Sequence, residues 1–257
     1  MVKTALITGA TSGIGLELAQ MLARNGVNLV IISRDEQKLK TAKEKLEKFN
    51  IQVKTISIDL AQVNAARKVY KFTEKNGIKI DFLINNAGFG SYGDFKDVNL
   101  DRQIDMIQTN ITSLTALTHV YLPHLITCSG KIMNVASTAA FQPGPYMAVY
   151  YATKAYVLHF SEAIAEELTK TNVTVTCLCP GPTYTDFHIT ANLGKSKLLD
   201  VVSPMSAKRV AEIGFKAMMR GKRIAIPGFR NNLLNTLIRF TPRKVVVKIM
   251  KKIQEKK

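Results

Sequence analysis

Tyr150 and Lys154 stand four residues apart, one helical turn, in a stretch whose spacing predicts a helix over Tyr150–Lys170. A phenol near pKa 10 is too weak an acid to work at neutral pH unless a cation favours its phenolate, and Lys154 is placed to be that cation. The pair can give a proton to an oxygen that gains negative charge, or take one back. Tyr146, Tyr151 and Tyr156 crowd the same stretch, but none has a lysine at that spacing, so Tyr150 is the acid/base. Thirteen residues earlier, Ser137 follows a short apolar run and offers a hydroxyl that can hold a reacting oxygen; Thr138 beside it is the rival for that task.

A second group of residues fits a phosphate. The first apolar run ends in Thr8-Gly9-Ala10-Thr11-Ser12-Gly13-Ile14-Gly15, and helical spacing starts at once. Without Cβ atoms, such a turn lets a pyrophosphate reach backbone N–H groups and the helix N-terminus. The second apolar run ends in Ser33-Arg34, where an NAD-selective domain carries an acid for the ribose 2′-hydroxyl. A guanidinium there welcomes a 2′-phosphate, so NADP(H) is preferred and NAD(H) is the alternative, with Asp35 one step late for the acid's role.

These groups need a scaffold that brings distant turns together. Strands are predicted at Thr4–Thr8, Asn28–Ser33, Gln52–Ile58, Asp81–Asn85, Lys131–Val135, Val173–Cys179 and Arg223–Ile226, mostly without strict alternation, as in parallel strands covered on both faces. Helices are predicted between them at Gly13–Arg24, Glu36–Phe49, Asn64–Lys75, Leu100–Leu122, Tyr150–Lys170 and Ala207–Arg220, and Gly26, Gly77 and Gly221 follow helix ends. The expected fold is α/β: one Rossmann-type, doubly wound parallel sheet of about seven strands over residues 1–228, with a helical extension over 229–257.

Composition excludes a disordered chain, a collagen-like repeat and a disulfide-dense miniprotein, since 46% of the 257 residues are hydrophobic and only three are cysteine. Cys177 and Cys179 read as small buried core residues, and Cys128 leaves an odd count. His119, His124, His159 and His188 show no ligand spacing, so no metal is expected. Met1-Val2-Lys3 lacks the pattern of a signal peptide and no apolar run reaches membrane-spanning length, so the expected location is cytoplasmic. The charge is unusual: 36 Lys and Arg against 19 Asp and Glu give +17. From Arg220 onward twelve basic residues face one acid, Glu255, a net +11 that leaves the body mildly basic. Leu233, Leu234, Leu237 and Ile238 form one apolar stripe there, and Val246, Ile249, Met250 and Ile253 a second. Such helices either lie on the inner, anionic face of a membrane or pack on the protein's own core or a partner subunit; docking of an acidic acyl carrier is a weaker third. Nucleic acid is not expected, because no binding motif accompanies the charge.

In motif order and spacing the chain resembles the classical short-chain dehydrogenase/reductase family over residues 1 to about 227. The carriers are the Thr8–Gly15 turn, Asp59, Asn85-Asn86-Ala87-Gly88, Asn110, Ser137, Tyr150-x-x-x-Lys154 and Pro180-Gly181. It is most similar to a bacterial subgroup of 3-ketoacyl and hydroxysteroid-type reductases with a basic carboxyl-terminal extension. The resemblance implies that Ser137 holds the substrate oxygen and that Asn110 holds a water in a proton relay through Lys154. It further implies that Asp59 and Leu60 meet the adenine and that Asn86, Ala87 and Gly88 line the adenosine ribose. Tyr150 and Lys154 then flank the nicotinamide ribose. Pro180, Gly181, Thr183 and Thr185 hold the nicotinamide end, Thr185 reaching the carboxamide or the pyrophosphate. Homodimers or homotetramers are expected on the same ground.

The expected activity is NADP(H)-dependent interconversion of a ketone or aldehyde and an alcohol. Phe141, Pro143, Pro145, Tyr146 and Met147, with Phe187, Ile189, Leu193, Leu198 and Leu199, suggest an apolar wall and hence a hydrophobic carbonyl substrate. The competing reading is a non-catalytic nucleotide-binding or membrane-surface scaffold of the same fold. Intact Asn110, Ser137, Tyr150 and Lys154 weigh against it, since a scaffold has no physical need of all four.

Overall fold

The computed structural model describes residues 2–185, 187, 191 and 204–255. Strands β1 (Thr4–Thr8), β2 (Asn28–Ser33), β3 (Val53–Ser57), β4 (Phe82–Asn85), β5 (Lys131–Val135), β6 (Thr174–Leu178) and β9 (Ile224–Ala225) form one parallel sheet in the order β3-β2-β1-β4-β5-β6-β9. Two further strands that the sequence did not suggest, β7 (Thr183–Tyr184) and β8 (Met205–Ser206), pair with each other.

The continuous apolar runs are explained by two covered faces. Ala5, Ile7, Leu29 and Ile31 pack with helices α1 (Gly13–Arg24) and α7 (Ala207–Met219) through Leu18, Leu22, Val210 and Met218. Their neighbours Leu6, Val30 and Ile32 point the other way, toward Val69 of α3 (Ala65–Lys75) and Leu117, Tyr121 and Leu125 of α5 (Leu114–Thr127). Each such Leu or Ile gains about 1.5–3 kcal/mol by burial, so a polar substitution on either face of β1 or β2 would open the sheet. Helix α2 (Glu36–Glu47) completes the first face beside β3.

One long helix was expected over Leu100–Leu122. The structure instead has α4 (Leu100–Ile107), a π-helical turn over Gln108–Ser113 and α5, which runs through Pro123 to Thr127. Asn110 and Ser113 are buried in the widened turn, and the Ser113 hydroxyl donates to the Leu60 carbonyl at 2.6 Å. Full burial of Leu125 carries α5 past the proline.

The carboxyl-terminal extension forms α8 (Phe229–Ile238) and α9 (Arg243–Gln254). Only the second apolar stripe turns inward: Val246 and Met250 are buried and Ile253 packs beside them, while Ile249 stays 48% exposed. The first stripe does not form a core face, because α8 buries Asn235 and half-buries Asn231 and Ile238, leaving Leu233, Leu234 and Leu237 about half exposed. The end of α9 is tied down by two hydrogen bonds: Gln254 Nε2 donates to Tyr151 Oη at 2.7 Å, and Tyr92 Oη donates to the Gln254 carbonyl at 2.5 Å.

Candidate active site

The strand order reverses between β1 and β4, so the loops after these strands diverge and leave a crevice at their carboxyl ends. Asn86 braces that crevice. Its side-chain amide donates to the Thr8 and Gly9 carbonyls, both at 3.0 Å, while the Thr8 hydroxyl accepts from the Asn86 and Ala87 N–H groups at 3.0 and 2.9 Å. Gly9 has φ +65°, and a Cβ there would come within 3.0 Å of the Ala87 backbone; a Cβ on Gly15 would collide with the Gly9 carbonyl. The turn is thus a cradle that only glycine leaves open, which fits a pyrophosphate at the start of α1. Thr185 belongs to the same cradle, since a Cβ on Gly13 would meet its methyl group at 2.9 Å.

A cleft of about 750 Å³ extends from this cradle in both directions. Gly9, Thr11, Ser12, Gly13, Ile14, Gly15, Ser33, Arg34, Asp59, Leu60, Asn86, Ala87, Gly88, Pro180, Gly181, Thr183 and Thr185 all line it, together with Ser137, Tyr150 and Lys154. At the far end Asp35 caps α2, accepting from Lys38 N at 2.9 Å, so its carboxylate is committed to the helix. Arg34 and Lys38 are exposed, line the cleft, and form no ion pair among the described residues. Lys38 was missed in the sequence because only the start of α2 brings it to the cleft. Asp59 accepts from Ala61 N at 2.9 Å and shapes a turn; α3 begins only at Ala65.

At the centre, α6 (Ala148–Glu167) carries Tyr150 and Lys154 to the end of β5. Tyr150 is pushed up to about 12 by burial, an effect that its hydrogen bond with Ser137 reduces. Thr138 lines the cleft as well, but the contact with the phenol belongs to Ser137. Lys154 is pushed down to about 8 by burial, with Cys177 and Cys179 acting in the opposite sense. Its ammonium donates to the Val135 carbonyl at 2.8 Å and lies 5.9 Å from the Tyr150 ring centroid. The expectation that Lys154 brings the phenol toward neutrality is therefore corrected for the protein alone: burial raises the Tyr150 pKa, and the effect that lowers it comes from Ser137.

Asn110 does not line the cleft. Its side-chain oxygen accepts from Phe89 N at 3.1 Å, and its amide donates to the Phe89 carbonyl and to Thr153 Oγ1, both at 3.0 Å. It clamps the loop after β4 onto α6, directly beneath Gly88, where a Cβ would meet the Asn110 oxygen at 3.0 Å and Lys154 Nζ at 3.3 Å. Cys177 and Cys179 are buried free thiols whose sulfurs lie 3.6 Å apart. Among the described residues no group of His, Cys, Asp and Glu could hold a metal.

The other end of the cleft is apolar, but its wall differs from the expected one. Met147 and Phe187 line it, whereas Phe141, Pro143, Pro145 and Tyr146 do not. The short 3₁₀ turn at Thr138–Phe141 directs Phe141 into a core cluster with Val157 and Leu158, and Tyr146 stacks on Tyr92 at 5.8 Å. Ile189, Leu193, Leu198 and Leu199 lie outside the described residues. The remaining wall comes from the extension: Leu234, Leu237, Ile238, Val246, Ile249 and Met250 face the cleft. Two polar atoms in this wall, Asn235 Nδ2 and Gln142 Oε1, are buried with no hydrogen-bond partner. Nothing in the sequence marked them, because their meaning depends on what α8 and α9 cover.

A family model described as short chain dehydrogenase matches residues 3–196. An uncharacterized oxidoreductase of Staphylococcus epidermidis is 32% identical over 199 residues, covering 77% of this chain and 85% of that protein. The very-long-chain 3-oxoacyl-CoA reductase of Homo sapiens is 32% identical over 256 residues, covering 96% of this chain and 78% of its own. A short-chain dehydrogenase from Sphingobium yanoikuyae, solved in complex with NADPH, is similar with a TM-score of 0.82 at 28% identity, covering 93% of this chain and 94% of that one.

Proposed function

The chain belongs to the short chain dehydrogenase family of oxidoreductases, and from that premise we infer that it is an NADP(H)-preferring reductase of a hydrophobic ketone or aldehyde. One observation carries this reading: a single cleft joins a glycine cradle, a Ser137–Tyr150–Lys154 centre and an apolar chamber. The cradle, Asp59, Arg34 and Lys38 would hold the dinucleotide, with the last two meeting a 2′-phosphate, and bound there it supplies the hydride. The relatives' names agree with the chamber, since the human protein is named for a long-chain oxoacyl substrate.

The residues set the proton's direction. With its pKa near 12, Tyr150 is protonated at neutral pH and stands ready to donate. An alkoxide is a much stronger base than a phenolate, so transfer from Tyr150 Oη to a newly reduced carbonyl oxygen runs downhill. The Ser137 hydroxyl, which donates to the Pro180 carbonyl at 3.4 Å and lowers the Tyr150 pKa, can turn to donate to the same oxygen and hold it within reach. Lys154 remains cationic up to about pH 8 and stabilises the phenolate left behind. Asn110 acts one layer further out, fixing the Phe89 backbone and α6 relative to each other.

Assembly into dimers or tetramers belongs to the same reading, and Leu100 and Ile104 of α4 and Tyr156 of α6 are exposed for it; light scattering measures it. The decisive experiment follows NADPH absorbance against apolar ketones and 3-oxoacyl thioesters. Turnover should fall about 10²–10⁴-fold in Tyr150→Phe. Full activity in that variant would remove Tyr150 from the mechanism.

A further inference from the structure

Helix α8 is inside out. Asn231, Asn235 and Ile238 occupy its inner side, whereas Leu233, Leu234 and Leu237 are 48%, 48% and 52% exposed. Phe229 and Phe240, just at its two ends, are each 83% exposed. Exposed apolar area of this extent on one short helix calls for a covering surface. The charge around it says which kind. Between Glu212 and Glu255 the chain contains no Asp or Glu, and Arg230, Arg239, Arg243, Lys244 and Lys248 are exposed on or beside α8 and α9. None of these five forms an ion pair among the described residues.

A second copy of the chain is a poor cover, because it would set two acid-free, strongly basic faces against each other. An anionic lipid surface satisfies both features at once: aromatic and leucine side chains enter the boundary of the acyl region while arginine and lysine meet the headgroup phosphates. The same patch is continuous with the site. Leu234, Leu237 and Ile249 are about half exposed and also line the cleft, so apolar surface runs without a break from outside to inside. We propose that α8 and α9 dock the protein on an anionic membrane surface, with Phe229 and Phe240 inserted, so that the cleft mouth opens onto lipid and an apolar substrate enters from it. The entry route rests on the reductase reading; the docking does not. No helix among the described residues is long and apolar enough to cross a membrane, so the contact is with one surface.

The test is sedimentation of the full chain with vesicles of phosphatidylcholine alone or mixed with phosphatidylglycerol, without cofactor or substrate. Binding to the mixed vesicles should exceed binding to phosphatidylcholine by about tenfold or more and fall at about 0.5 M salt. The double variant Phe229→Ser/Phe240→Ser should bind the mixed vesicles about tenfold more weakly. Its turnover of a water-soluble ketone should be unchanged, because neither ring lines the cleft. Equal binding to both vesicle types, no binding, or full binding by the double variant overturns the proposal. A phenylalanine-dependent dimer, or capture of an acidic carrier protein, in the absence of vesicle binding also overturns it and assigns the face to that partner. If vesicles are bound but no ketone is reduced, the docking stands and the reductase reading fails.

Discussion

The two ends of the cleft are built in opposite ways. The cofactor end is made of backbone: glycines without Cβ atoms, a turn braced by Asn86 and Thr8, and a helix N-terminus, all at the carboxyl ends of β1 and β4. The substrate end is made of side chains, most of them from α8 and α9 more than two hundred residues from the glycine turn, with Asn235 Nδ2 and Gln142 Oε1 left unbonded among apolar neighbours. A backbone site accepts one shape and tolerates no added atoms. A side-chain site can be re-cut residue by residue, and its unpaired amides await a ligand's polar group.

The contrast predicts effects of different size and kind. The largest should come from Gly15→Val, whose new side chain must displace the Gly9 carbonyl. NADPH affinity measured by fluorescence titration should drop about a hundredfold or more, and a variant that bound normally would show the cradle to be pliable. Replacing Arg34 and Lys38 with serine removes the two cations proposed to meet a 2′-phosphate. The NADPH dissociation constant should rise about 10–100-fold while that of NADH stays level, and parallel losses for both would end the case for a 2′-phosphate site.

The catalytic centre lies between the two ends and should respond to pH. As Lys154 loses its proton near pH 8, reductase rate should decline on the alkaline side. Fold stability should move the other way. Between about 8 and the ordinary lysine value of 10.5 the unfolded chain binds more protons at this group, so unfolding free energy rises with pH. Tyr150, raised above 10.0, contributes stability that is lost only as pH climbs from 10 toward 12, but the lowered Lys131 and the raised Cys128 and Cys179 also titrate between pH 8 and 10, so the lysine's share is read as the difference between the wild-type chain and Lys154→Met. Lys154→Met should make stability rise less steeply with pH over this range; an unchanged slope would place its origin elsewhere.

The smallest effect belongs to the substrate end. Asn235→Leu removes a buried donor that has no partner, so the melting temperature should rise by about 2–4 °C. NADPH affinity should not change, but kcat/KM for the best ketone should fall about three- to tenfold if the amide meets substrate. Higher stability with unaltered turnover would show Asn235 to be only a packing flaw.

Much of this was legible in the sequence because it is local or periodic. The strands and most helices follow from apolar runs and glycine punctuation, and the glycine turn is contiguous. Tyr150 and Lys154 are tied by one helical turn, which survives in α6. What was misread depended on partners far along the chain. The π-helical turn at Gln108–Ser113 accommodates Asn110 on the Phe89 backbone, a contact that helical spacing does not encode. The loop around Phe141 looked like a substrate wall because it is apolar, yet the ring was claimed by α6.

By itself, then, the sequence determined the sheet, the cradle and the pairing of Tyr150 with Lys154 one helical turn apart, since each rests on residues that are near neighbours or share a period. Only the tertiary structure decided the pKa values and the chamber. Burial, which no spacing reveals, sets Tyr150 near 12 and Lys154 near 8. Likewise the +11 segment that looked dispensable to the chemistry became the wall of the substrate end, because α8 and α9 fold back across a cleft that begins at Gly9.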